Sequence, residues 1–217
     1  MKMEFGERVV FIGLQGSRAR GEAHDNSDID AVVLLDAMKA EDLVRYRSLV
    51  ESMPHSELAC GFIGSADVLA SWPRHELFQF YNDTVPIFGN LPEVAPFTRG
   101  DAMQAAHISA SGIYHATCHS FVFEGDEVEG ILKTLFKAAF FTLQALQYAR
   151  TGFYPRTKAE LADLLEGDEA RILEIGRDWD SHRPADETGT RKVVDLLLEW
   201  SERVVRLDGS ESKNEMP

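Results

Sequence analysis

GLQGSRARGEAHDNSDIDAVVLL, residues 13–35, is the stretch on which the reading of this 217-residue chain turns. Two short apolar runs meet in it. Arg8–Leu14 (RVVFIGL) stops at Gln15-Gly16, and Ile29–Leu35 (IDAVVLL) starts directly after Ser27-Asp28. Runs this short, rich in Val and Ile and bounded by Gly, Ser or Asp, read as buried strands. The polar segment between them places Gly16 and Ser17 at a strand end and at the start of a helix. Such a start presents unpaired N–H groups and the positive end of a dipole, which suits a phosphate. Arg18 and Arg20 add two cations. Asp28 and Asp30 stand two residues apart at the opening of the second strand, so their carboxylates are expected on one face. Neighbouring carboxylates repel, and a divalent cation removes the repulsion. Mg²⁺ suits the pattern because it takes one or two carboxylates together with substrate phosphates. A phosphate cradle facing a carboxylate pair is the layout of metal-dependent phosphoryl transfer.

Outward from this stretch, strands and helices alternate to about residue 90. Ala40–Met53 and Arg74–Asn82 read as helices, and Glu57–Ile63 and Val85–Phe88 as strands. After Pro92 and Pro96 the pattern is helical. Arg99–Phe123 is one helix; from Val128 the apolar positions Ile131, Leu132, Leu135, Phe136, Ala139, Phe140, Leu143 and Leu146 mark a second, stopped by Gly152. Thr157 with Glu160 three residues on has capping-box spacing and starts a helix through Leu165. Glu169–Asp180 and Gly189–Leu207 follow as two more. The expected fold class is therefore α+β: an N-terminal α/β domain with a small mixed sheet over residues 1–95, a helical bundle over 96–207, and a polar tail at 208–217.

Gly16-Ser17, Gly21 and Ser27-Asp28-Ile29-Asp30 resemble the GS…G…SDxD signature of the polymerase-beta-type nucleotidyltransferase superfamily, most of all its minimal and kanamycin-nucleotidyltransferase-like members. The resemblance implies that Gly16 and Ser17 hold a triphosphate and that Asp28 and Asp30 ligate Mg²⁺ and are catalytic; Ser27, Arg18 and Arg20 are counted with the nucleotide site, one arginine for phosphate and the other equally well solvated or paired with Glu22. It implies NMP transfer from an NTP, ATP being the commonest in the family, to a hydroxyl of a small molecule or a protein. The helical half, with QYARTGFYPRTKAEL, is loosely similar to the HEPN-like domains fused to such enzymes, and would select the acceptor. One position departs from the pattern. Transferases of this type carry a third acid on a later strand, and the strand expected there offers only Glu57, at its first residue; alignment by the following helix puts Gly61 at the position instead. The alternative reading is thus a nucleotide-binding regulatory or interaction protein of the same fold, with weak turnover or none.

Composition narrows the partners. Lys and Arg number 22 against 36 Asp and Glu, a net charge of −14, which disfavours long nucleic acid and anionic membranes. No apolar run approaches the roughly 20 residues of a membrane span, the N-terminus does not read as a secretory signal, and two cysteines make no disulfide framework, so a cytoplasmic protein is expected. His115 and His119, one helical turn apart, have zinc-compatible spacing but no evident further ligands. Arg177 and His182 have the spacing of HEPN ribonucleases, which a chain of this composition yields by chance. Lys133, Lys137 and Lys158 are as well explained by stems lying along the bundle surface as by ligand contact. A homodimer through the helical half is open.

Overall fold

In β1 (Val9–Gln15) buried and half-buried residues alternate, as expected for a strand inside a sheet. The computed structural model describes residues 1–125 and 127–207, and it divides into two units, one spanning Met1–Pro96 and one beginning at Phe97. The 208–217 segment read as a tail lies outside the described residues.

The first unit opens with α1 (Lys2–Phe5), then β1, the single turn α2 (Gly16–Ala19), β2 (Ile29–Leu35) and α3 (Ala40–Glu51). It continues through β3 (Ala59–Ser65), α4 (Ala66–Ala70), α5 (Arg74–Asp83) and β4 (Val85–Gly89). The four strands lie in the order β3-β2-β1-β4. β1 runs antiparallel to both β2 and β4, and β2 runs parallel to β3, so the sheet is small and mixed. Alternation along β2 decides what each face does. Val33 and Leu35 join Phe5 and Val9 in one core, packed against Tyr46 and Leu49 of α3. Val32 and Leu34 face the other way, both fully buried, and Asp30 is on their face one step nearer the strand's start. There Phe62, the partner of Val32 across the β2–β3 ladder, meets Trp72 and Phe80 edge-on with ring centroids 5.3 Å apart. Arg8 ties the start of β1 to α3 by donating to Asp42 at 2.6 Å and to Asp36 at 3.0 Å.

The second unit is helical: α6 (Arg99–Phe123), α7 (Val128–Thr151), α8 (Lys158–Ala162), α9 (Gly167–Arg177), α10 (Trp179–His182) and α11 (Glu187–Arg206). Thr98 and Asp101 close a reciprocal capping box at the start of α6, and Thr157 with Glu160 does the same for α8. The buried stripe of α7 runs Leu132, Leu135, Phe136, Ala139, Phe140, Leu143 and Leu146. Facing helix α6 buries Ala102, Ala106 and Ala110, small residues at four-residue spacing that let the two backbones approach. α9 sits as close on α7's other side: a Cβ at Gly176 would stand 2.6 Å from the Phe136 carbonyl oxygen. Two expectations shift. The Thr157 helix ends at Ala162 rather than Leu165, and the single helix expected over Glu169–Asp180 breaks at Asp178, whose carboxylate caps α10 instead. Phe136 is 1% exposed and its ring meets that of Trp179 at 5.8 Å. Phe136→Ala is expected to destabilise the helical unit by about 3–5 kcal/mol, read from urea denaturation.

Candidate active site

The antiparallel register of β1 and β2 pairs Gln15 with Asp30, so the residue that follows β1 lands on the carboxylate that opens β2. That residue is Gly16. Its φ is +71°, and a Cβ there would overlap the Asp30 carboxylate, so both backbone conformation and space demand glycine. Ser17 follows it in the turn of α2. Asp28 is exposed and just precedes β2, whereas Asp30 is half-buried on it. Burial raises the Asp30 pKa above its ordinary value, the charges of Asp28 and Asp83 raise it further, and Arg20 and the Cys60 thiol oppose the rise. A carboxylate crowded by two others is a site that a cation relieves, and with substrate phosphates completing the shell the donor set fits Mg²⁺. Among the described residues no three or more His, Cys, Asp or Glu side chains are gathered into a metal centre of their own.

The remaining expected site residues are held by the chain itself. Arg18, expected at a phosphate, staples the loop ahead of β2: its guanidinium donates to the carbonyls of Ser27 at 2.7 Å, Asp28 at 3.2 Å and Asp25 at 3.4 Å. The Ser27 hydroxyl, expected at the same ligand, accepts the His24 N–H at 2.9 Å and closes the turn before Asp28. Arg20 donates to Asp83 at 2.6 Å and to Glu22 at 3.1 Å, with 8% of its side chain exposed. Arg18 and Ser27 thus fix where Asp28 and Asp30 stand. No motif signalled Asp83. It ends α5, 67 residues from Gly16, and its carboxylate accepts the Gly16 N–H at 3.1 Å.

Glu57, the acid expected at the start of the third strand, lies off that strand. It is in a short turn before β3, is largely exposed, and pairs with His55 at 3.6 Å. β3 begins two residues later than expected, and its register places Cys60 beside Asp30 and Gly61 beside Ala31. Gly61 has φ +120°, and a Cβ would overlap the Ala31 carbonyl, so the ladder itself requires glycine there. In the second unit the His115 and His119 rings are 6.1 Å apart, with Phe123 against His119. Lys133 pairs with Asp180 at 3.7 Å, and Lys158 lies 5.9 Å from the Phe140 ring. His182, half of the ribonuclease-like spacing, bonds the Asp178 carbonyl of its own turn at 2.8 Å.

The family model for the nucleotidyltransferase domain matches residues 1–65, which span β1, the Gly16 turn, β2 and β3. The match covers 65 of the 217 residues and lies within the first unit. The fold extends the likeness. The crystal structure of spectinomycin adenyltransferase AAD(9) from Enterococcus faecialis, with ATP and spectinomycin, aligns with a TM-score of 0.59 at 12% identity over 94% of each chain. The aligned residues include parts of both units of the chain. A comparison with curated proteins returns no match. No helix among the described residues is long and apolar enough to cross a membrane.

Two outcomes follow from the geometry of the turn. Gly16→Ala places a side chain on Asp30 and forces a left-handed backbone, an expected loss of about 1–3 kcal/mol in stability from the backbone term alone, read by thermal unfolding. Asp30→Asn should do the reverse in the ligand-free protein. Because the folded state raises the Asp30 pKa, the stability this group contributes is complete below its unfolded pKa and is lost as pH rises through the folded one. At neutral pH the ionised carboxylate therefore opposes folding, and the Asn variant is expected to melt higher than wild type, the gap closing as pH falls.

Proposed function

We propose that the chain transfers a nucleoside monophosphate, AMP from ATP, to a hydroxyl of a small molecule in a Mg²⁺-dependent reaction. The observation that carries the proposal is the contact of the Gly16 turn with Asp30, the second member of the Asp28/Asp30 pair. In this reading Asp28 and Asp30 hold the ion, whose chemistry is to neutralise charge on the phosphates, and Gly16-Ser17 seats the triphosphate. The acceptor oxygen bonds the α-phosphorus as the bond to the bridging oxygen breaks; pyrophosphate leaves and the acceptor's proton passes to solvent. The AAD(9) structure with ATP and spectinomycin supports ATP as donor and a small molecule as acceptor. A net charge of −14 favours a cationic acceptor such as an aminated hydroxyl compound. The same features favour a protein of the cytoplasm without nucleic-acid or membrane partners.

The lack of a carboxylate on β3, where Cys60 stands beside Asp30 and Gly61 beside Ala31, favours a second reading, a nucleotide-binding protein of this fold with slow turnover or none. One pair of experiments decides. In thermal unfolding with each NTP and Mg²⁺, a nucleotide at 100 times its Kd should add about 2.7 kcal/mol of stability, lost in Asp28→Ala/Asp30→Ala. Incubation of the wild type with α-labelled ATP and a panel of aminated hydroxyl compounds should then release pyrophosphate and label an acceptor. Binding with neither product selects the second reading, and absence of NTP binding rejects both.

A further inference from the structure

Two consecutive residues of the phosphate-side turn are bonded to two consecutive residues at the end of α5. The Gln15 side chain donates to the Thr84 hydroxyl at 2.7 Å, and the Gly16 N–H donates to the Asp83 carboxylate at 3.1 Å. The other Asp83 oxygen takes the Arg20 guanidinium at 2.6 Å. Asp83 and Arg20 are 11% and 8% exposed, and Thr84 is buried. Ion pairs elsewhere among the described residues, such as Arg8 with Asp36, Arg45 with Glu4 and Arg191 with Glu187, join at least one well-exposed side chain. Exposed pairs contribute little, whereas losing one partner of a screened pair strands the other charge. The Asp83–Arg20 pair therefore has mechanical consequences where the surface pairs have few. Both of its ends reach the turn: Asp83 through the Gly16 amide, and Arg20 because it is the residue that follows α2.

We propose that Asp83 is a positioning residue of the nucleotide site, holding the Gly16 amide and the Arg20 guanidinium so that the turn keeps the shape that receives the triphosphate. The proposal rests on the nucleotide reading above. Asp83 touches neither reacting atom; it acts through Gly16, whose Cα lies against Asp30, and through Arg20, whose charge it balances beside Asp30. Without it the Gly16 turn has lost one of its two anchors, and a segment that must meet Asp30 at a glycine-only contact is free to shift. Asn at 83 keeps an oxygen for the Gly16 N–H and removes only the charge; Ala removes both.

The test measures Kd for each of the four NTPs with Mg²⁺ by calorimetry, well below the melting temperature, on wild type, Asp83→Asn and Asp83→Ala. Hydrogen exchange is followed in the same ligand-free proteins. Asp83→Ala is expected to weaken the NTP bound by wild type at least tenfold and Asp83→Asn by a smaller factor, with faster exchange confined to the amides of residues 16–21. Unchanged or tighter binding in Asp83→Ala overturns the proposal, tighter binding because it would make the carboxylate a competitor of the phosphate. Weaker binding accompanied by faster exchange throughout residues 1–96 also overturns it, since that is loss of the fold rather than of the turn. A wild type that binds no NTP rejects the nucleotide reading itself, and this proposal with it.

Discussion

The candidate site depends on one backbone contact, the meeting of Gly16 with the Asp30 carboxylate across the β1–β2 ladder. An antiparallel register of Gln15 with Asp30 leaves no room for any side chain between turn and acid. Everything nearby serves that meeting. Arg18 holds the three carbonyls that precede β2, Ser27 closes the loop, and α5 reaches in to hold the turn from the other side. Arg18 and Arg20, expected at a phosphate, act here on the chain, and Asp28 and Asp83 add to the negative charge felt at Asp30.

This division explains what was legible in the sequence. GS and DxD are local patterns flanked by strands, and spacing alone brings them together, because two strands joined by a short loop pair with each other. The partners of the arginines were not legible. Arg18 in a turn looks the same whether it meets a phosphate or its own backbone, and only the path of residues 25–28 decides. Asp83 lies a whole α–β–α distance from the motif, at the end of a helix recognised only as amphipathic. The place of the third acid failed for a different reason. The strand's existence was readable, but its register against β2 is set by a glycine that must sit opposite Ala31, and the two-residue error moved Glu57 off the strand altogether.

In the helical unit the periodic signal was strong along α7, whose one face is continuously apolar. α6 spans Arg99–Phe123 as expected, and α7 runs from Val128 to the residue before Gly152. The signal weakened where a polar side chain capped a new turn or held a chain segment beyond its own helix. Asp178 looks like one more exposed residue of a helix, yet its carboxylate accepts the Ser181 N–H and ends one helix by starting another. Gln144 is similar: fully buried on α7, it reads as a flaw in the apolar stripe until its amide is seen to hold the Pro155 carbonyl at 2.8 Å and so fix the chain after Gly152.

The register that creates the site also sets which changes of chain length the domain tolerates. Side chains on β2 alternate between two buried faces, so adding or removing one residue between Asp30 and Leu35 would turn the strand over relative to its neighbours. Asp30 would then point toward Phe5 and α3, and a core valine would be left at the turn. The loop between α2 and β2 is outside the ladder and has no alternation of faces to preserve, so a change of length there leaves the register of β1 with β2 intact. Insertions and deletions among descendants of this chain should therefore collect in those few polar residues, while the strands on either side keep their lengths even where nearly every letter in them changes.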